Sequence, residues 1–258
     1  MSCADEGIGR PLYSAREFEL DFTLRVITFL RSLGKLPPQG EGTVLDIGAN
    51  MGVISIGMLH TGQFKRAVAV EPEPSNFSLL EHNVQQNKLE GRVICLPYAV
   101  SDQKGEVQFE LCHTNHGDHR VRSGAVETGY STELFQESGR PVISVEAVTL
   151  DQLVEELPES TAQDIDLVWV DIQGYEGYGF LGGKGLLSKG IPVVAEIWPY
   201  GVKRSGMSQE QFCNIAESIW SSYWVWREGS FVRYPISVLG DFFAELGDEG
   251  DFDNVVFV

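Results

Sequence analysis

The sequence predicts an α/β fold: a mostly parallel sheet with helices on both faces. Three observations carry that prediction. An apolar run beginning at Thr43 passes through Val44 and Leu45 into the loop Asp46-Ile-Gly48-Ala-Asn50-Met-Gly52, and a helix-period apolar pattern continues to Leu59. Strand, glycine loop and helix in that order make the first unit of a nucleotide-binding sheet. A second strand, Arg66–Val70, closes on Glu71, roughly 20 residues beyond the loop, where such sheets place an acidic ribose-binding residue. Ile165–Val170 is apolar on both faces, as a central strand must be, and Ile191–Ile197 supplies another strand.

The loop spacing narrows the ligand. A dinucleotide loop, G-x-G-x-x-G, lays a pyrophosphate on a helix N-terminus. Here the pattern is Asp46-x-Gly48-x-x-x-Gly52, with no glycine two residues after the first, where a pyrophosphate needs room. The acid ahead of Gly48 suits a ligand with a cationic amino group. S-adenosylmethionine has that group and no phosphate. Glu71 is placed to accept both ribose hydroxyls. A plain tight turn with a solvated strand end is the alternative.

Five segments in order, VLDIGANMGVISI, AVEPEPSNFSLLEHNVQQN, YAVSDQKGEVQF, VEAVTLDQL and IDLVWVDIQGYE, resemble the FkbM family of S-adenosylmethionine-dependent methyltransferases. The resemblance runs from about Thr43 to about Glu196. It implies a Rossmann-like fold with seven strands, the late ones antiparallel. It also implies methylation of a hydroxyl on a small molecule or sugar, with S-adenosylmethionine as cofactor. The family usually carries a lysine and a glutamate where this chain has Trp169 and Gln173, whereas Asp171, Gly174 and Glu176 match. Those two departures keep open a degenerate S-adenosyl-binding protein that has lost catalysis. A nicotinamide-dependent oxidoreductase is the other alternative, disfavoured by the missing middle glycine.

The 258 residues are 43% hydrophobic and 10% aromatic, enough for one domain with a sizeable core. The formal net charge of −18 repels a phosphate backbone, so no nucleic-acid partner is expected. Cys3, Cys95, Cys112 and Cys213 have no C-x-x-C spacing, which argues against a disulfide framework and a cysteine zinc site. No basic-plus-apolar leader and no membrane-length apolar run are present, so the expected location is cytoplasmic.

Residues 1–40 read as a helical segment or lid, Ala15–Leu33 with Phe18 and Phe22 on its apolar face, followed by the stiff linker Leu36–Gly40. Residues 41–258 read as the cofactor-binding domain, with an insertion loop at 112–140. Ser75 is an expected N-cap for a helix to about Asn87. Arg92–Tyr98 is a third strand, followed by Ala99-Val100-Ser101-Asp102. Ligands lie outside the carboxyl ends of parallel strands, so Asp102 is placed to meet an adenine amino group or to cap the next turn. Glu106–Leu111 alternates like a half-exposed strand.

Cys112–Arg122 holds His113, His116 and His119 with Asp118. Its spacing fits no compact metal motif, and no metal is expected. A substrate-facing loop is favoured over a plain surface loop. There His119 would act as a base near neutral pH, while Arg120 and Arg122 hold an acidic or polar group. Ser123–Gly139 reads as a lid or a disordered stretch. Asp171 ends its strand beside the same crevice as Asp46, as a base or as a helix N-cap. Glu196 either faces that crevice or forms a buried pair. Trp198, Tyr200, Lys203 and Arg204 would wall the acceptor. Ser208–Ser221 is a helix, Tyr223–Trp226 and Phe252–Val258 are late strands, and acidic Asp241–Asp253 between them is a surface stretch.

The expected cofactor set is Asp46, Gly48, Asn50, Gly52, Glu71, Pro72, Asn76, Val100, Ser101 and Asp102. Asp171 and His119 are the expected catalytic pair. Asn115, Arg120, Arg122 and Glu196 are the expected acceptor contacts.

Overall fold

A computed structural model describes residues 7–15, 19–122 and 134–258. Phe18 and residues 123–133 of the expected lid lie outside the described residues. The strands are β1 Thr43–Ile47, β2 Arg66–Val70, β3 Val93–Leu96, β4 Ala99–Ser101, β5 Gly105–Glu110, β6 Arg120–Val121, β7 Val142–Thr149, β8 Ile165–Val170, β9 Val193–Ile197, β10 Ser222–Arg227, β11 Ser230–Pro235 and β12 Asp253–Phe257. Among the described residues they form an eight-stranded sheet, β11-β10-β12-β9-β8-β1-β2-β3, and a four-stranded sheet, β4-β7-β5-β6.

The five strands from β9 to β3 are parallel, and β12, β10 and β11 add to the β9 edge antiparallel. The large sheet is therefore Rossmann-like but mixed. It has one strand more than the expected seven, because β10 returns at once as β11. Glu228 (φ 46°) and Gly229 (φ 92°) form the two-residue turn between them. Positive φ at both central residues matches the right-handed twist of a hairpin.

Both faces of the parallel strands are buried, because alternate residues feed two cores. Leu45, Ile47, Val68, Val70, Val168 and Val170 join one. Val44, Ala67, Ala69, Leu167 and Trp169 join the other. Helix Leu20–Ser32 covers the second face with Val26, Ile27 and Leu30. Its Phe22 packs edge-on against Trp169 at 6.2 Å. The side chain at the family's lysine position thus belongs to the core behind the sheet.

Two local expectations are corrected. Helix Pro74–Gln86 is capped by Glu73, whose carboxylate accepts the Asn76 N–H at 2.6 Å, and not by Ser75. Pro74 at the first helical position moves the start two residues earlier than the serine suggests. Asp241–Asp253 is not wholly a surface stretch. Helix Leu239–Leu246 runs through it and buries Phe242 and Phe243, with its acids on the outer side.

β1 has β2 on one side and β8 on the other, so chain order reverses there. At such a switch point the two strand-end loops diverge and leave a crevice. The loops are Gly48–Gly52 and Asp171–Tyr175. The small sheet, spanning residues 99–149, stands beside this end and supplies the roof.

Candidate functional site

The first loop is built around glycines. Gly48 has φ 84°, and a Cβ there would lie 1.8 Å from the Asp171 carbonyl oxygen, so only glycine lets the two loops touch. Gly52 has a different task. Its missing Cβ makes room for Leu80 and Ile56, in the packing behind the loop. Asp46, 2% exposed, turns away from the crevice and accepts from Ser55 N at 3.1 Å and Ser55 Oγ at 2.5 Å. It ties the strand to the helix that follows. It is not on the wall where an amino group would meet it, and burial pushes its carboxyl up to about 6.

Glu71 does face the crevice. Its two oxygens accept from Asn50 N at 2.9 Å and Glu73 N at 2.8 Å. Burial pushes it up to about 8. Asn50, in a left-handed conformation, also donates its side-chain amide to the His116 carbonyl at 2.9 Å, and Asn76 donates to the same oxygen at 3.1 Å. These two bonds dock the histidine segment over the crevice as a roof.

His119 sits inside that roof. Its Nδ1 accepts the Cys112 N–H at 3.0 Å, which leaves the ring proton on Nε2. Burial lowers its pKa to about 4. The ring is therefore neutral, and a weak base, throughout the range near pH 7. The expectation of a neutral-pH base at His119 is corrected on that ground.

Arg120 and Arg122 line neither of the two cavities at the site and lie instead against acidic side chains. Arg120, 3% exposed, lies 3.1 Å from Glu110, 3.1 Å from Asp118 and 3.5 Å from Glu137. Arg140 pairs with Asp118 and approaches Glu110 at 3.6 Å. Tyr200 donates to Glu137 at 2.6 Å. Arg122 lies 3.8 Å from Glu110. This buried network joins both ends of the insertion, 112–122 and 134–140, to the helix Pro199–Arg204. Lys203 pairs with Asp248 instead of walling the site.

The second loop carries Asp171. Its backbone N–H donates to Ile47 O at 2.9 Å, continuing the β1–β8 ladder. It is not an N-cap, since the helix Glu176–Gly182 begins after Tyr175. Gly174 (φ 92°) packs against the Gly201 backbone, where a Cβ would meet atoms at 2.2–2.5 Å. Glu176, fully buried, accepts from Ile172 N at 3.0 Å and Gly174 N at 3.2 Å, so it fastens the loop. These contacts explain the matching glycine and glutamate as loop-building residues. Gln173 donates to Asp171 Oδ1 at 2.7 Å and Glu196 Oε1 at 3.3 Å. Burial raises both carboxyls, and their mutual repulsion raises Glu196 further.

Burial pushes Glu176 up to about 8. A carboxyl with a raised native pKa contributes stability below its unfolded value and loses it as pH rises through the native one. The thermal midpoint of the protein alone is expected to fall between about pH 5 and 8. Glu176→Gln keeps both accepted bonds and should flatten that fall; scanning calorimetry against pH checks it, and an unchanged slope would contradict the assignment.

Two cavities meet at Asp171, Gln173 and Gly117. The crevice, about 490 Å³, is lined by Gly48, Asn50, Glu71, Pro72, Asn76, Val100, His119, Asp171 and Tyr175, with Tyr98 and Phe109. The wider cleft, about 1860 Å³ and open to solvent, is lined by Asn115, Asp171, Gln173, Glu196, Phe135, Trp198 and Glu19, among others. Ser101 and Asp102 stand behind the crevice wall: Ser101 Oγ reaches the Tyr175 hydroxyl at 3.3 Å and Asp102 at 3.1 Å, and Asp102 is exposed. The adenine contact expected of Asp102 is not set up. Tyr175, stacked on Tyr178 at 4.3 Å, offers an aromatic wall that sequence reasoning passed over inside its own motif. Glu19 and the His116 carbonyl had no local signal, because only folding brings them here.

The residues fit an S-adenosyl ligand in chemistry. Glu71 supplies a buried acceptor at the end of β2, Tyr98, Phe109 and Tyr175 supply flat apolar surface, and Gly48 keeps the floor open. Acidic walls that form no ion pair with a cation among the described residues suit a sulfonium.

Fold and crevice together define an α/β protein with a Rossmann-like sheet and a crevice at the β1–β8 switch point. A methyltransferase FkbM domain matches residues 46–212. The chain belongs to the FkbM methyltransferase family. It is 28% identical over 165 residues to the 2-O-methyltransferase NoeI of Sinorhizobium fredii, covering 62% of this chain and 64% of that one. Methyltransferase FkbM from Methylobacillus flagellatus superposes with a TM-score of 0.51 at 13% identity, over 87% of this chain and 45% of that one. The chain thus spans less than two thirds of either relative. No helix among the described residues is long and apolar enough to cross a membrane.

Proposed function

We propose that this protein transfers a methyl group from S-adenosylmethionine to a hydroxyl of a small-molecule or carbohydrate-like acceptor. The observation that carries the reading is the shared wall: Asp171 and Gln173 border both the crevice and the open cleft. A donor site and an acceptor site must meet at the reacting groups, and here they meet at a carboxylate. The hydroxyl acceptor is supported by the likeness to the 2-O-methyltransferase NoeI.

Gly48, Asn50, Glu71, Pro72, Asn76, Val100 and Tyr175 would hold the cofactor, with Glu71 accepting from its ribose. The cofactor supplies an electrophilic methyl group on a positively charged sulfur. Trp198, Phe135 and Asn115 would hold the acceptor and keep its hydroxyl at the junction. Asp171 would orient that hydroxyl and take its proton at a carboxylate oxygen. A carboxyl whose pKa burial has raised is a stronger base than an exposed one. Much of the acceleration would come from holding two reactants in line.

A ligand that binds only the folded state raises its stability with the logarithm of concentration over Kd. Thermal-shift titrations with S-adenosylmethionine, S-adenosylhomocysteine, NAD and NADP are expected to show stabilisation by the two S-adenosyl compounds alone. Stabilisation by a dinucleotide instead would overturn the reading.

A further inference from the structure

Asp171, half-buried, and Glu196, buried, are carboxylates that share one donor. Gln173 Nε2 lies 2.7 Å from Asp171 Oδ1 and 3.3 Å from Glu196 Oε1. No Lys, Arg or His forms an ion pair with either carboxylate among the described residues. The neighbouring cations are committed elsewhere: Arg120 to Glu110, Asp118 and Glu137, and Arg140 to Asp118 and Glu110. The acids near the pair are Glu19 ahead of helix Leu20–Ser32, Asp118 in the roof and Glu176 at the start of its helix, with Asp46 behind the end of β1. His119 shares the crevice wall with Asp171, and His113 and Arg140 share the cleft wall with both acids, Arg140 being paired with Asp118.

Two carboxylates on one neutral donor do not both ionise freely, so the pair titrates as a unit. An amide donor stabilises an anion without cancelling its charge. A lysine there would cancel it. Gln173 also holds a left-handed backbone, φ 55°, costly for a residue with a side chain. Gly174 packed on Gly201 and the two bonds to Glu176 lock it so. The residue kept at that cost is the one whose amide spans the two acids.

We propose that Gln173 is a positioning residue: it clamps Asp171 and Glu196 into a pair that shares negative charge beside the crevice, and that charge makes the crevice prefer the sulfonium cofactor to its neutral thioether product. The inference rests on the S-adenosyl reading of the crevice. Its consequence is selective release of product, because methyl transfer removes the charge that the pair holds.

S-adenosylmethionine and S-adenosylhomocysteine share their amino-acid and nucleoside groups, so the ratio of their affinities isolates the sulfonium. Titration calorimetry of the full chain with each, between about pH 5 and 8.5, measures that ratio as the pair ionises. The preference for the sulfonium is expected to rise about tenfold or more with pH, the scale of one unit charge in a cleft. In Gln173→Leu the rise should move to higher pH, while S-adenosylhomocysteine affinity stays within about twofold, since only the bond to the anion is lost. A ratio that does not change with pH, or a midpoint unmoved in Gln173→Leu, overturns the inference and leaves the S-adenosyl reading intact. Failure of the unmodified chain to bind either ligand overturns both. Should Gln173→Leu lose S-adenosylhomocysteine binding through misfolding, Glu196→Gln decides. Removing the like-charged neighbour should move the rise to lower pH, and an unmoved midpoint again overturns the clamp.

Discussion

Asp171→Asn is expected to lower turnover by roughly 100- to 10,000-fold, the usual worth of a positioned base. Binding of S-adenosylhomocysteine should stay within a few-fold, because asparagine fills the same space and the thioether has no charge to lose. The reason is positional. Asp171 is anchored by its N–H to Ile47, fixed beside Gly48, and borders both cavities. Its raised pKa sets the sign of the pH dependence: the base form is populated above that pKa, so turnover should fall as pH falls through it. Steady-state kinetics against pH, paired with calorimetry, checks both parts. Unchanged turnover in Asp171→Asn would remove it from any role as base.

Arg120→Met should destabilise the fold by about 3–5 kcal/mol, the cost of breaking a buried ion network by removing one partner. Glu110, Asp118 and Glu137 all lose a partner, and among the described residues Glu137 keeps only Arg204 as a cation, at 4.0 Å. The stacking of the guanidinium over Trp198, 4.8 Å from the ring centroid, is lost with it. Denaturant unfolding measures the loss. A neutral effect on stability with a raised KM for an acceptor would instead return Arg120 to the substrate contact that its sequence position suggests. The roof segment depends on the same network, so cofactor affinity should weaken in the variant as well.

Much of the site follows from local sequence, and the reason is that backbone demands are local. Gly48 and Glu71 are legible because a strand, a tight turn and a strand end each dictate residue types within a few positions. Asp171 is legible because the strand before it is apolar throughout. Helix Leu239–Leu246 and strand β11 are less legible. One hides in an acidic stretch whose phenylalanines reveal their face only once packed, and the other hangs on a Glu-Gly turn where Asn-Gly is the common signal.

Side-chain direction is where local reasoning stops. Asp46 and Glu71 are both acids at strand ends, yet Asp46 turns to Ser55 and Glu71 to the crevice. Arg120 sits in a polar loop that reads as substrate-facing, but three acids from distant parts of the chain bury it. His119 has the residue type of a base and loses that role through desolvation, which no spacing encodes. By itself the sequence determined the parallel sheet, the glycine loop, the acid after the second strand and the family. The tertiary structure alone decided which carboxylates are satisfied and which stand free of a cation. That outcome depends on long-range burial and on which charges meet, and both exist only once the chain has closed around them.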